Sequence, residues 1–215
     1  MANLLRLDDS FKLTKPFHEA WLDAHRDSMD LLNRARKDMP EFFVPFEPVD
    51  YWDMLHRHVF ANASRAVEGK QGIVSTNKVG FNAQIVAGKS PALVRFKHLL
   101  TNLAPRAYPT VQQTGLDKHQ FSEDMLLQLQ MDGCSIPPTV LTCGYQVSPT
   151  IDELIRVTVV LWHRGVLRHY YDLHNIDGIE MAEYLPFPGT PPESPEVVSK
   201  RAKRDKRNPA GDKTE

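Results

Sequence analysis

LIRVTVVLWHRGVLRHYYDLH (Leu154–His174) is the stretch on which the fold turns. Ten residues rich in β-branched and aromatic side chains run up to Arg164-Gly165, and a second such run leads away from it. Two residues between two strand-like runs, the second of them Gly, is the signature of a tight β-hairpin. A two-residue turn sets the expected pairing: His163 opposite Val166, Leu161 opposite Arg168, Val159 opposite Tyr170, Val157 opposite Asp172 and Ile155 opposite His174. Side chains two apart share a face of a strand. One face is therefore expected to carry His163, Arg168, Tyr170, Asp172 and His174 around a Val/Leu floor, and the other Trp162, Val160, His169, Tyr171 and Leu173.

Upstream, Thr139–Val147 alternates with period two, placing Leu141, Cys143, Tyr145 and Val147 together. An antiparallel meander is thus expected for the C-terminal third. The N-terminal half reads differently. Phe17, Trp21, Ala24, Ser28, Leu31 and Ala35 follow 3.6-residue spacing and predict a helix over 14–37, with Pro16 in its first turn. Pro40, Pro45 and Pro48 predict an extended aromatic connector. A second helix is expected over 51–67, capped by Asp50 with Asp53 three residues on, and ended by Gly69. A hairpin over 72–86 follows. Ser90-Pro91 then predicts the start of a third helix reaching Leu103, with Leu93, Phe96, Leu100 and Leu103 on one side. A polar loop over 104–121 leads to a fourth helix over 122–132, capped by Ser122.

The expected architecture is α+β: N-terminal helices with a short hairpin, a C-terminal antiparallel β-meander, and a disordered C-terminal tail. Residues 1–184 are expected to form one domain. Five prolines in LPFPGTPPESP mark 185–199 as a linker, and 200–215 as a basic disordered tail. That tail holds Lys200, Arg201, Lys203, Arg204, Lys206, Arg207 and Lys213 against three acids, a net of +4. The chain as a whole is −1, so the remainder is mildly acidic at −5. Such a basic end can contact nucleic-acid phosphates nonspecifically.

The 215 residues contain 41% hydrophobic and 25% charged residues, ordinary for a globular chain. Cys134 and Cys143 lack metal-site or framework spacing and are expected as reduced, buried thiols. No basic, then apolar, leader opens the chain and no apolar run approaches ~18 residues, so neither export nor a membrane span is expected. A cytoplasmic location follows.

Three motifs bear on chemistry. Ala83–Ser90 ends in Gly88-Lys89-Ser90, which matches the loose phosphate-loop pattern. That mechanism needs a glycine-rich nest between strand and helix. Here Gln84-Ile85-Val86-Ala87 prolongs the strand, so a plain junction is the better reading. Among nine histidines, His18 and His25 lie ~10 Å apart on a helix, and His56 and His58 point to different sides. No metal site is expected, and no cofactor. Gln113-x-x-Leu116 resembles the Gln-x-x-Leu core of peptides that dock on bacterial sliding clamps, with Asp117 where an aromatic residue usually follows.

These readings lead to two functional expectations. The first is a soluble regulatory protein that binds a protein partner, associated with nucleic-acid or replication machinery. Its partner-binding residues would be Phe42, Phe43 and Phe46 in the aromatic connector, and Gln113 and Leu116. Its nucleic-acid contacts would be Lys200, Arg201, Lys203, Arg204, Lys206 and Arg207. The alternative is a small metal-independent nuclease, toxin-like, with His163, Arg168, Tyr170, Asp172 and His174 as catalytic residues. One histidine would act as base and another as acid, with Arg steadying the anionic oxygens. A purely structural hairpin would instead pair Arg168 diagonally with Asp172.

Overall fold

The computed structural model describes residues 4–70, 72–76, 83–106, 111–131, 134, 136–174 and 181–183. The proline-rich linker and the basic tail lie outside them. Among the described residues, six helices, α1 (Leu7–Thr14), α2 (His18–Asp38), α3 (Pro40–Phe43), α4 (Pro48–Ala66), α5 (Val111–Asp117) and α6 (Glu123–Met131), accompany seven strands. The strands are β1 (Ile73–Thr76), β2 (Ala83–Val86), β3 (Ala92–His98), β4 (Thr139–Val147), β5 (Leu154–His163), β6 (Val166–Asp172) and β7 (Met181–Glu183). They form one sheet in sequence order, antiparallel except for the parallel pair β3–β4. The architecture is α+β.

The helix expected over 14–37 begins earlier than its periodicity suggests. α1 precedes it, and a 3-10 turn at Lys15–Phe17 carries the chain into α2. Proline at N1/N2 of that turn leaves no lost hydrogen bond to break the run. The connector is not extended: Pro40 starts the single turn α3. α4 starts at Pro48, its N-cap is Glu47, and the Asp50 carboxylate accepts the Glu47 N–H at 2.8 Å. Asp50 is thus the third helical residue of a capping box rather than the cap.

The largest departure is at 92–98, which is a strand and not a helix. Leu93, Phe96, Leu100 and Leu103 fit helical spacing, but the run ALVRF is apolar on both faces of a strand. Leu93 packs with Ile85, Leu116 and Met125 on one side, and Phe96 with Trp21 and Phe60 on the other. A central strand buried on both faces has no alternation to display, and short apolar runs do not separate the two periods. Parallel pairing to β4 begins where Thr139 N–H donates to the Pro91 carbonyl at 2.9 Å. The crossover between them contains α6, as expected, and α5 inside the segment expected as a loop.

α1, α2 and α4 cover one face of the sheet. Leu141, Cys143, Tyr145 and Val147 face them together, as the alternation of β4 requires. The helices are tied down by hydrogen bonds as well as by apolar contact. The Trp21 Nε1–H donates to Gln84 Oε1 at 2.8 Å, joining α2 to β2. Thr14 Oγ1 lies 2.7 Å from the Tyr171 hydroxyl and 2.8 Å from His18 Nε2, and Ser10 Oγ lies 2.9 Å from His169 Nε2. These satisfied polar contacts set the register of α1 on β6. Cys134 and Cys143 are free, buried thiols.

Candidate functional site

The β5–β6 turn at Arg164-Gly165 has the two left-handed residues that a tight hairpin needs, with φ of 54° and 77°. His163 pairs with Val166 as expected. Beyond that the register shifts: Trp162 pairs with Leu167 and Leu161 with His169, leaving Arg168 as the extra residue of a bulge. Tyr170 therefore faces Val160 and Asp172 faces Thr158, one residue away from the expected partners. The alternation of β6 itself survives, with His169, Tyr171 and Leu173 toward the helices.

The five residues of the expected hairpin face do not meet. Tyr170 and Asp172 share a site with Arg156, whose guanidinium lies 5.4 Å over the Tyr170 ring and pairs with the Asp172 carboxylate. Arg156, not Arg168, is the partner of Asp172. The other Asp172 oxygen accepts the backbone N–H of His174 at 2.8 Å, and the His174 side chain is exposed. His163 lies at the opposite end. Eight residues of extended chain from Val166 to His174 span ~26 Å, so the two histidines cannot share one scissile bond.

His163 instead meets His119, just beyond the C-terminal end of α5, with Nδ1 to Nδ1 at 3.1 Å. The tautomers follow from the partners. Val140 N–H donates to His119 Nε2 at 3.0 Å, so the His119 proton sits on Nδ1 and is donated to His163 Nδ1. The remaining His163 proton is then on Nε2, which makes neutral His163 a fixed donor rather than a base. Burial first, then the neighbouring His163 and the Arg95 charge, hold His119 down at about 4. Burial, with Arg164 and Arg168, also lowers His163.

Beside this pair lies a largely buried ion pair. Arg95 projects from β3 with its side chain 3% exposed, and its Nη2 donates to Asp117 Oδ1 at 2.8 Å. Its Nε and Nη1 have no partner among the described residues, nor has Arg168 Nε. Asp117 is the last residue of α5, and its carbonyl accepts the Arg164 N–H at 3.1 Å. Among the described residues, His119 and Arg164 are two of four non-glycine residues with positive φ, so the junction holds backbone in a sparsely populated conformation on both sides. Between the two lies a cavity of about 440 Å³ lined by Thr114, Asp117, Lys118, Gln120, Arg164 and Gly165. Sequence reading missed Arg95, Asp117 and His119 because β3 was expected as a helix and α5 as a loop.

Leu116 points into the second core with Leu93 and Met125, 1% exposed, so the clamp-peptide resemblance has no accessible leucine. The Gln113 side chain lies outside the described residues, as do the basic residues of the tail. Gly88-Lys89-Ser90 joins two antiparallel strands, β2 and β3, and no helix follows to receive a phosphate.

The aromatic connector divides into a buried and an exposed part. Phe43 is buried and stacks on Tyr51 at 5.8 Å, with Phe46 half-buried beside both. Phe42 rests on Phe43 and Phe46 but is 57% exposed, and Val44 is 81% exposed. Met39 and Val49 on either side are exposed as well. No helix among the described residues is long and apolar enough to cross a membrane, and no group of three or more His, Cys, Asp or Glu there could hold a metal ion. No protein-family model, curated protein or solved structure matches this chain, so the fold and its chemistry rest on the residues themselves.

Proposed function

We propose that this chain is a noncatalytic binding protein that docks a protein partner on the corner formed by α2, α3 and α4. The observation that carries the reading is the exposure of Met39, Phe42, Val44 and Val49 on a corner made rigid from behind by Phe43, Phe46 and Tyr51. A cluster of large apolar side chains facing solvent marks an interaction surface. Aromatic anchors on a pre-formed support lose little entropy on binding. Residues 38–50 also carry Asp38, Glu41, Glu47 and Asp50, all exposed, with no basic residue among them. The partner surface that fits is apolar with a basic rim.

The test is affinity capture from the host's lysate with the wild type beside Phe42→Asp/Val44→Asp. The reading expects a stoichiometric partner on the wild type that is lost from the variant, with both proteins unfolding at the same temperature. A partner retained equally by the variant, or no partner at all, overturns it. The basic tail supplies nonspecific phosphate contacts in the same scheme. Deleting 200–215 is expected to lower nucleic-acid retention and leave partner capture intact.

A further inference from the structure

We propose that the cavity between α5 and the β5–β6 turn is a binding site for the phosphate monoester of a small organic molecule, gripped by Lys118 and Arg164. The argument begins with charge. Arg95, Lys118 and Arg164 stand on or behind the lining against the single carboxylate of Asp117, leaving an excess of two positive charges. Asp117 is already engaged by Arg95, so its repulsion of an incoming anion is largely cancelled. A carboxylate ligand would answer one of the two charges, whereas a phosphate monoester at neutral pH answers both and offers three acceptor oxygens.

The donors point the same way. Thr114 and Gln120 supply neutral polar groups beside the two cations. Arg95 is not part of the lining and its unpartnered nitrogens are buried, so it acts on the site through Asp117, whose carboxylate it holds. The left-handed backbone at His119 and Arg164 holds both rims in place. The cavity, about 440 Å³, is open to solvent, with Thr114, Lys118, Gln120 and Arg164 exposed along it, and leaves room for an organic group attached to the phosphate.

The experiment is calorimetric titration of the full chain with adenosine 5′-monophosphate, inorganic phosphate and adenosine, repeated with Arg164→Asn and Lys118→Gln. Asparagine tolerates the left-handed backbone at 164, so that variant removes the charge without straining the turn. The proposal expects saturable binding of the monophosphate, weaker binding of inorganic phosphate and none of adenosine. Each substitution removes a charge-assisted contact and is expected to weaken the monophosphate by about tenfold or more. The ring ¹⁵N resonances of His119 and His163 should shift during the same titration. No saturable binding of either phosphate, or affinity unchanged in both variants, overturns the site. Equal affinity for inorganic phosphate and the monophosphate overturns the monoester.

Discussion

The two faces of the sheet solve burial differently. On the helix-covered face, α1, α2 and α4 close over β3, β4, β5 and β6, and Trp21 pairs with Gln84, His169 with Ser10 and Tyr171 with Thr14, while His25 Nε2, Gln84 Nε2 and His98 Nδ1 have no partner among the described residues. The opposite face carries two smaller apolar clusters, one around Leu93, Leu116 and Met125 and one around Leu99, Val160 and Tyr170. Arg95 lies buried on that face with part of its guanidinium unpartnered among the described residues. Both faces hold unpartnered buried polar atoms, but those of the helix-covered face are neutral. The face with a half-compensated charge, left-handed backbone and a cavity is where ligand chemistry is to be sought.

The comparison can be broken most directly by acid. His18, His25, His56, His98 and His169 between helices and sheet, and His119 on the opposite face, are each held at about 4, chiefly by burial. The unfolded chain protonates these side chains near 6.5 and the folded chain does not. Unfolding therefore takes up protons between pH 6.5 and 4. Stability is expected to be complete above about 6.5 and to fall steeply toward 4, on the order of 3 kcal/mol for a group as buried as His25. Denaturant titrations at successive pH values read this directly. A flat profile would show that the helix face is not closed.

Trp21→Ala removes the largest fully buried side chain and leaves Gln84 without its indole partner. A loss of about 3–5 kcal/mol in denaturant unfolding is expected. On the opposite face, Asp117→Ala strands the Arg95 charge. Because Asp117 is one-third exposed, the expected loss sits at the low end of that for a broken buried pair, about 3 kcal/mol or less. Arg95→Met in the same chain should recover most of it, which equal losses in single and double variants would contradict. The smallest effect belongs to the exposed corner: Phe42→Ala should change stability by no more than about 0.5 kcal/mol, while Phe43→Ala, one residue on, costs several. Equal effects would mean that the corner is not divided into support and surface.

α2 and α4 were legible because polar residues fill their wet side. β4 is buried on both faces over most of its length, yet its period shows because Thr142, Gly144 and Gln146 alternate with Leu141, Cys143, Tyr145 and Val147. β3 was illegible because Ala92, Leu93 and Val94 make both its faces apolar. α5 was hidden in a polar stretch with prolines before it, and the packing of Leu116 against Leu93 and Met125 gives it a buried side. Of the candidate site residues, His163 stands at the charged junction and Arg168 at the bulge beside it. Tyr170 and Asp172 belong to a structural contact with Arg156.

The α+β class, the tight turn at Arg164-Gly165 and the buried thiols follow from the sequence by itself, because turn chemistry, periodicity and composition are local properties. The bulge at Arg168, the parallel β3–β4 pair and the meeting of His119 with His163 were decided by tertiary structure alone. Each depends on which distant segment packs alongside. A one-residue shift in register, which no local pattern announces, was enough to move every cross-strand neighbour of the hairpin beyond Trp162 and Leu167.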